Sequence, residues 1–325
     1  MIRAASHPAG PETGLHATAP PADPDPPPAG AARARPRHRA ELALFHALRA
    51  PLLALPLSWA RPAGAALGEL LWASGARRRT VDENLRRVFP EWPPARRRAV
   101  ARACYRHFGG MLCESVAFTR VDAVELCRRL TLVGWDRLDE AEAHGRGLIA
   151  IGGHTGNWEI AARVLGLYRA PYHIVVRPFN NPLVWEHMSR DRRRFGVREV
   201  PKQGAARQLF RVVRQGGRVG MAMDQRVRRG QGVVLPFLGH PALVTPLPAA
   251  LSLRTGAPAV PTFAWPEERG RYRVELGEPI LPDGEGGDDD EAVAALTSRY
   301  LAVLEAEIRR RPEQWLWLHR RWRMD

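Results

Sequence analysis

Lysine is nearly absent from this chain of 325 residues, in which Lys202 is the only lysine among 49 basic side chains. Arginine therefore carries almost all of the positive charge, and the formal net charge is +15. Arginine stays protonated and grips phosphate or carboxylate through two parallel hydrogen bonds. The composition predicts anionic partners such as lipid headgroups, acidic proteins or nucleic acid, although a codon bias towards arginine would produce the same count.

Cysteine is also scarce, since the chain has only Cys104, Cys113 and Cys127, and no two of them have CxxC spacing. An odd count without that spacing argues against a disulfide framework and against a zinc site. The HExxH pattern of zinc proteases is absent as well. We therefore expect small core cysteines in a reducing compartment, no metal and no other cofactor.

Long hydrophobic runs are missing too. The longest uncharged stretch near the start of the chain runs from residue 50 to residue 60, between Arg49 and Arg61. A helix that crosses a bilayer needs about 20 apolar residues. Because arginines flank this stretch, we predict that residues 37–75 form a helical segment that lies at a membrane interface. A buried core helix and a true spanning helix are the alternatives.

The first 36 residues contain mostly Pro, Ala, Gly and Asp, as in PADPDPPPAGAARARPR. This composition offers no hydrophobic periodicity that could offset the entropy of ordering the chain. We predict a disordered leader over residues 1–36. It does not resemble a signal peptide, because no apolar region follows Arg3.

Residues 76–325 contain the hydrophobic patterns of a folded domain. After a helical region, short apolar runs alternate with amphipathic stretches, which predicts an α/β fold with a mostly parallel central sheet flanked by helices. The expected strands are residues 148–152, 173–176, 218–223, 259–263 and 273–276. The expected helices are residues 158–167, 183–195, 205–214, 247–254 and 292–309.

The segment GGHTGNWEI, residues 152–160, carries the clearest chemical signal. A buried strand leads through two glycines to His154, and Glu159 falls in the first turn of the next helix. From there the carboxylate can point back at the imidazole and leave the other ring nitrogen free as a base. The amides of Gly156 and Asn157, at the helix start, can face an oxyanion or a phosphate.

No nucleophile accompanies this pair, because the chain has no GxSxG elbow and its cysteines lie elsewhere. A histidine and a carboxylate without a nucleophile suit the activation of a substrate hydroxyl, which could then attack an acyl thioester. Two alternatives stay open, namely a structural histidine in a tight turn and a hydrolase of a lipid ester or thioester. We find no nucleic-acid-binding motif and expect no nucleic acid partner.

Several further segments support the interpretation that His154 activates a substrate hydroxyl for acyl transfer. GGHTGNWE resembles the first signature block of the lysophospholipid acyltransferase superfamily. The segments VVRPFNNPLV, DQRVRRGQGVVLPFLGHPALVT, RTGAPAVP and PEQWLWLHRRW, in this order, are similar to later blocks of the bacterial lipid A biosynthesis lauroyl/myristoyl acyltransferase family, which includes phosphatidylinositol mannoside acyltransferases. The resemblance covers about residues 40 to 323. It implies that His154 and Glu159 are catalytic.

The same resemblance suggests the substrates and where they bind. Arg177 follows a strand and is well placed to hold a phosphate, and Asp224 and Gln225 shape the acceptor site. The implied donor is acyl carrier protein or acyl-CoA, and the implied acceptor is a hydroxyl of a lipid A precursor, a phosphatidylinositol mannoside or a lysophospholipid. We expect the protein at a membrane surface, on the cytoplasmic face of the inner membrane. The tryptophans of WLWLHRRW could lie at that interface or pack in the core.

Overall fold

The computed structural model describes residues 35–282 and 289–323, so the expected leader lies almost entirely outside the described residues. The helices are α1 (Pro36–Ala54), α2 (Leu57–Ala73), α3 (Arg78–Val88), α4 (Pro94–Ala117), α5 (Ala123–Arg128), α6 (Trp135–Ala143), α7 (Trp158–Tyr168), α8 (Pro182–Arg193), α9 (Ala205–Arg214), α10 (Leu247–Thr255) and α11 (Asp290–Arg310). The strands are β1 (Leu130–Val133), β2 (Leu148–Gly152), β3 (Tyr172–Val176), β4 (Val197–Pro201), β5 (Arg218–Ala222), β6 (Val233–Phe237), β7 (His240–Val244), β8 (Ala259–Pro266) and β9 (Tyr272–Leu276).

Seven strands form the central sheet in the order β1-β9-β8-β2-β5-β3-β4. Every neighbouring pair is parallel except β8 and β9. Parallel strands need crossover connections, and the helices that supply these connections flank the sheet. The predicted α/β fold with a mostly parallel sheet is confirmed.

The structure contains every strand and helix that the sequence predicts. β2 and α9 have the expected bounds, and the other predicted elements differ by a few residues at their ends. Three features were not predicted: the edge strands β1 and β4, and a hairpin of β6 and β7. The hairpin turns at Leu238 and Gly239, which both have positive φ values, of 51° and 82°. Such a turn fits the twist of an antiparallel pair.

Helices α1 and α2 occupy most of the segment expected at a membrane interface. One side of α2 is buried at four-residue spacing by Ala60, Gly64, Gly68 and Trp72. Its other side exposes Trp59, Leu67, Leu70 and Leu71, and α1 exposes Leu44 and Leu48. Within residues 35–282 and 289–323, no helix combines the length and the apolar character needed to cross a membrane.

The tryptophans near the end of the chain belong to the core. Trp315, Trp317 and Trp322 are at most 7% exposed. The rings of Trp315 and Trp317 meet edge to face, with centroids 4.6 Å apart. The alternative that placed these rings at a membrane interface is therefore wrong, and the segment instead packs against the sheet edge that carries His154.

Candidate active site

Two neighbouring strands bring His154 together with an acidic residue. In the register of β2 and β5, Gly152 lies beside Ala222, so residues two positions further on also lie side by side. These residues are His154 and Asp224. One oxygen of Asp224 is 2.9 Å from His154 Nδ1, and the other accepts the His154 backbone N–H at 2.7 Å. Asp224 thus fixes both the ring and the backbone of His154.

Glu159, the carboxylate expected beside His154, binds an arginine instead. Arg192 of α8 donates to both oxygens of Glu159, from Nε at 3.1 Å and from Nη2 at 2.6 Å. Arg192 also forms an ion pair with Glu199 on β4. The expected direct contact between Glu159 and the imidazole is therefore wrong, because the bidentate arginine takes both oxygens, while Asp224 occupies Nδ1.

The two carboxylates act on the imidazole in different ways. Burial works against protonation of His154, but the charge and hydrogen bond of Asp224 and the charge of Glu159 together raise its pKa above the ordinary histidine value. Burial would raise the pKa of Asp224, yet its contacts with His154 lower it to about 2. Arg192 outweighs burial and holds the pKa of Glu159 below its usual range. Both carboxylates are therefore ionised at neutral pH, and Glu159 acts on His154 through its charge.

The backbone amides expected to face an oxyanion already have partners. The N–H of Gly156 donates to the Gln314 carbonyl at 3.1 Å, and that of Asn157 donates to the Ala264 carbonyl at 2.8 Å. The Asn157 side chain is fully buried, and it caps α7 at Ile160 N–H. The expected binding role of Gly156 and Asn157 is therefore wrong in this form, because these residues hold the loop in place.

Gly156 has a φ of 58°, which favours glycine. A Cβ atom there would lie only 2.3 Å from the Ala264 carbonyl oxygen. On the opposite side, His107 Nε2 lies 3.0 Å from the Gly156 carbonyl oxygen. Burial lowers the pKa of His107 to about 3, so the ring is neutral and donates this hydrogen bond. The loop that carries His154 is thus fixed from β8 and from α4.

The C-terminal segment, residues 312–323, packs against this loop. Trp315 Nε1 donates to Asp224 at 2.8 Å, to the same oxygen that accepts the His154 amide. The N–H of Leu316 donates to the His154 carbonyl at 3.1 Å. One oxygen of Asp224 thus accepts from two donors, and the other contacts His154 Nδ1. Asp224 is 2% exposed. Asp224 therefore orients His154, and its part in shaping an acceptor site stays a prediction.

Comparison with known proteins identifies the family. A sequence model of the bacterial lipid A biosynthesis acyltransferases matches residues 35–324. The chain belongs to this family.

Relatives with assigned names support the same conclusion. Phosphatidylinositol mannoside acyltransferase of Mycobacterium tuberculosis is 28% identical over 250 residues, which cover 75% of this chain and 76% of the relative. Lipid A biosynthesis palmitoleoyltransferase of Escherichia coli is 28% identical over 242 residues, covering 74% and 77%. The names of both relatives describe the transfer of an acyl group to a lipid. This family member is accordingly an O-acyltransferase with a lipid acceptor.

The solved structures that match include one of an acyltransferase. The 1-acyl-sn-glycerophosphate acyltransferase of Thermotoga maritima matches 79% of this chain and 99% of its own, at 15% identity and a TM-score of 0.35. This likeness is too slight to inform the geometry of the site.

Arg177 and Gln225 lie at the same sheet edge as His154 and Asp224. β3 neighbours β5, with Ile174 beside Gly220, so Val176 ends level with Ala222. Arg177 follows directly and is exposed. Across residues 35–282 and 289–323, no hydrogen bond or ion pair engages its side chain. Gln225 is half-buried next to Asp224. Substrate contacts of both residues stay predictions.

The acyltransferase has no cysteine placed to act as a nucleophile at His154. Cys104 and Cys113 are buried and Cys127 is half-buried. Burial raises the pKa of Cys104 to about 12, and its Sγ donates to the Trp315 carbonyl at 3.3 Å. Within the described ranges there is also no cluster of three or more His, Cys, Asp or Glu residues suited to a metal ion.

Proposed function

We propose that His154 is the general base for transfer of a fatty acyl group from a thioester to a hydroxyl of a lipid. The contact between Asp224 and His154 Nδ1 is the observation that carries this proposal. An ionised carboxylate at Nδ1 keeps the proton on that nitrogen and leaves Nε2 with a free lone pair. The imidazole is 22% exposed, which leaves an approach for the substrate.

The reaction then balances without a protein nucleophile. The acceptor hydroxyl gives its proton to His154 Nε2 while its oxygen attacks the thioester carbonyl carbon. The tetrahedral intermediate collapses, the carbon–sulfur bond breaks, and the leaving thiolate takes the proton back from His154. The products are an ester and a free thiol, and Asp224 stabilises the imidazolium between the two steps.

The oxyanion of the intermediate needs donors other than Gly156 and Asn157. The first N–H groups of a helix lack partners within the helix, and in α7 they belong to Trp158 and Glu159. They follow His154 closely in sequence, and the positive end of the helix dipole favours a negative charge there. We assign the oxyanion to these two groups, each of which would contribute about 3 kcal/mol to transition-state stabilisation.

The proposed donor is an acyl thioester of acyl carrier protein or of coenzyme A. Both are anionic, and the net charge of +15 supports either one. The proposed acceptor is a lipid A precursor, in keeping with the family. The phosphatidylinositol mannoside relative makes that glycolipid the principal alternative, followed by a lysophospholipid. Arg177, exposed at the same sheet edge as His154 and Asp224, would hold a phosphate of either substrate.

The proposed location is the cytoplasmic face of the inner membrane. The support is the exposed apolar side of α2, where Trp59, Leu67 and Leu70 are 53–67% exposed. Monomeric soluble proteins rarely leave apolar residues of this size together in water. A helix that lies in the interface would bury this side and bring the carboxyl edge of the sheet towards its lipid substrate.

A transfer assay tests the proposal. Purified protein in detergent is supplied with labelled acyl carrier protein or labelled acyl-CoA and a total bacterial lipid extract, and products are resolved by mass. We expect an acylated lipid with wild type and a rate lower by about 10²–10⁴-fold with His154→Ala. Free fatty acid as the sole product would indicate a hydrolase, and a His154→Ala rate within a few fold of wild type would reject the mechanism.

A further inference from the structure

A cleft of about 560 Å³ opens where α2 ends and α3 begins, against the C-terminal segment. Its lining is strongly basic. Glu83 is the one acidic residue among the lining residues, which also include Asn84 and Trp322. Six arginines face it, namely Arg77, Arg78, Arg79, Arg87, Arg320 and Arg323. We call this feature the arginine cleft.

Aromatic rings contact two of these arginines, and a carboxylate binds a third. The guanidinium of Arg78 lies 4.1 Å from the centre of the Trp72 ring, and that of Arg87 lies 5.7 Å from the Trp322 ring. Arg79 binds Glu83 at 2.7 Å. A guanidinium on a ring face keeps its N–H donors available in the plane of the group. The cleft therefore presents positive charge that the protein itself neutralises only in part.

Two of the arginines have side-chain N–H groups that no hydrogen bond within the described residues uses. Arg77 and Arg320 are exposed, and neither has a side-chain hydrogen bond or ion pair with any residue in the ranges 35–282 and 289–323. Like charges gathered in one cleft repel each other, and an anion relieves this repulsion. Planar guanidinium groups match the oxygen atoms of phosphate in particular.

The position of the cleft points to a ligand at a membrane surface. It begins directly after α2, whose last turns expose Leu70 and Leu71. Its other wall is the C-terminal segment, anchored by Asn84, which donates to the carbonyls of Trp317 and His319 at 2.8 Å. The same segment contains Leu316, whose N–H donates to the His154 carbonyl. The arginine cleft thus lies between an apolar helix face and the catalytic loop.

We propose that the arginine cleft binds the phosphate groups of a lipid headgroup. The lipid would be the acceptor, so this assignment deepens the proposed function. Its acyl chains would follow the apolar side of α2, and its hydroxyl would approach His154 from the side of the C-terminal segment. The binding itself requires no catalysis, so it can be measured whether or not transfer occurs.

The test compares two double variants of the full chain, each of which removes two positive charges. The cleft variant, Arg77→Asn/Arg320→Gln, removes two positive charges from the arginine cleft. Asparagine is chosen at position 77 because it tolerates the left-handed backbone there, where φ is 61°. The control is Arg207→Gln/Arg211→Gln, which removes two exposed arginines from α9. This helix packs on β4, β5 and α10, elements that do not line the cleft.

Binding is measured by sedimentation with vesicles of phosphatidylcholine, with or without phosphatidic acid, at low salt. The added phosphate monoester should strengthen binding of wild type and of His154→Ala alike. We expect the affinity of the cleft variant for vesicles with phosphatidic acid to be about 20-fold lower than that of wild type. The affinity of the control variant should be lower by less than about threefold. Equal losses in the two double variants would show a general charge effect and overturn the proposal.

A competition arm identifies the source of the phosphate. Coenzyme A is added as a competitor to wild type bound to phosphatidic acid vesicles. In a separate measurement, calorimetry gives the affinity of each double variant for coenzyme A. We expect no difference between the cleft variant and the control variant in their affinity for coenzyme A. Weaker binding of coenzyme A by the cleft variant alone would overturn the headgroup assignment and place the thioester donor in the cleft.

Discussion

His154 depends on two carboxylates that reach it by different physical routes. Asp224 contacts the ring directly and selects the nitrogen that carries the proton. Glu159 is held by Arg192 and affects the ring only through space. A direct hydrogen bond is sensitive to geometry, whereas a charge at a distance changes mainly the pKa of the imidazole. The two carboxylates should therefore give different results when each is neutralised.

The pH dependence of transfer separates these roles. A general base works when unprotonated, and the pKa of His154 is raised, so kcat/KM should rise with pH to a midpoint above about 6.5. Glu159→Gln removes a negative charge and should move this midpoint to lower pH with a modest loss of rate. Asp224→Asn should also move it down, with a loss of about 10²–10⁴-fold.

The control for this pair is Glu186→Gln, which neutralises a carboxylate on α8 that forms an ion pair with Arg193. This variant should leave the midpoint where it is in wild type. Rates would be measured between about pH 5 and pH 9, with thermal melts to confirm folding. If the midpoint stayed fixed in both Asp224→Asn and Glu159→Gln, His154 would not be the group that titrates.

Trp315 provides a second test at the scale of single residues. Trp315→Phe keeps a buried ring but removes the N–H that binds Asp224, so the carboxylate should hold His154 less firmly. We expect kcat to fall by about 10- to 100-fold, since a hydrogen bond to a charged group contributes about 1.5–3 kcal/mol, while KM changes little. Trp317→Phe is the matched control, because Trp317 Nε1 donates to the Pro312 carbonyl at 2.6 Å instead. Equal changes in kcat would show that Trp315 supports only the fold.

The sequence indicates His154 more readily than its partner. The strand, the two glycines and the helix around His154 are contiguous, so a local pattern suffices to place it at the end of a strand. Asp224 is 70 residues away, and its position depends on β5 lying beside β2. Strand order is a property of the whole sheet, and a single sequence offered no sign of it. For this reason the sequence alone favours Glu159, the nearest carboxylate in the chain, as the partner.

At the scale of elements, helices α2 and α4 meet through their backbones. A Cβ atom on Gly64 would lie 2.2 Å from the Gly109 carbonyl oxygen, and one on Gly68 would lie 2.1 Å from that of Tyr105. The ion pair of Arg61 and Glu114, at 2.8 Å, joins the same two helices. Glu114 accepts from Tyr272 at 2.5 Å, and Tyr272 in turn accepts from Asn157. The helix pair is therefore linked to the start of α7.

A single methyl group should disturb this packing. Gly64→Ala raises helix propensity by about 1 kcal/mol, yet the added carbon would clash with backbone atoms that cannot move alone. We expect a net loss of about 1–3 kcal/mol in the free energy of unfolding, measured by chemical denaturation. Ala66→Ser on the exposed side of α2 should change it by less than about 0.5 kcal/mol. A stabilised Gly64→Ala protein would contradict the close packing of α2 on α4.

Elements with a regular pattern of hydrophobic residues could be predicted from the sequence, and elements with an irregular pattern could not. β2 is apolar over four residues, and α9 has a regular amphipathic pattern, so both had the predicted bounds. The segment of β6 and β7 contains prolines at 236 and 241, which argue against strands. These prolines face each other in the hairpin register, where an isolated two-stranded ribbon tolerates them. The pairing of two short strands overrides the local preference there.

At the scale of the whole molecule, two surface properties favour a membrane by separate forces. The net charge of +15 attracts anionic lipid, and salt weakens this attraction because the screening length is only about 10 Å at 0.1 M. The exposed leucines of α1 and α2 act through the hydrophobic effect, which salt does not screen. Binding that survives high salt would therefore report on the apolar helix face alone.

The double variant Leu67→Ser/Leu70→Ser tests that second contribution. Each leucine that enters an apolar environment contributes about 1.5 kcal/mol or more, so membrane partition at 0.5 M salt should fall by at least about tenfold. Val234→Ser/Leu281→Ser removes two exposed apolar residues outside α1 and α2 and serves as the control. Partition is measured by sedimentation with vesicles of anionic lipid at low and high salt. If the two double variants sedimented alike at high salt, the apolar side of α2 would not be the membrane contact.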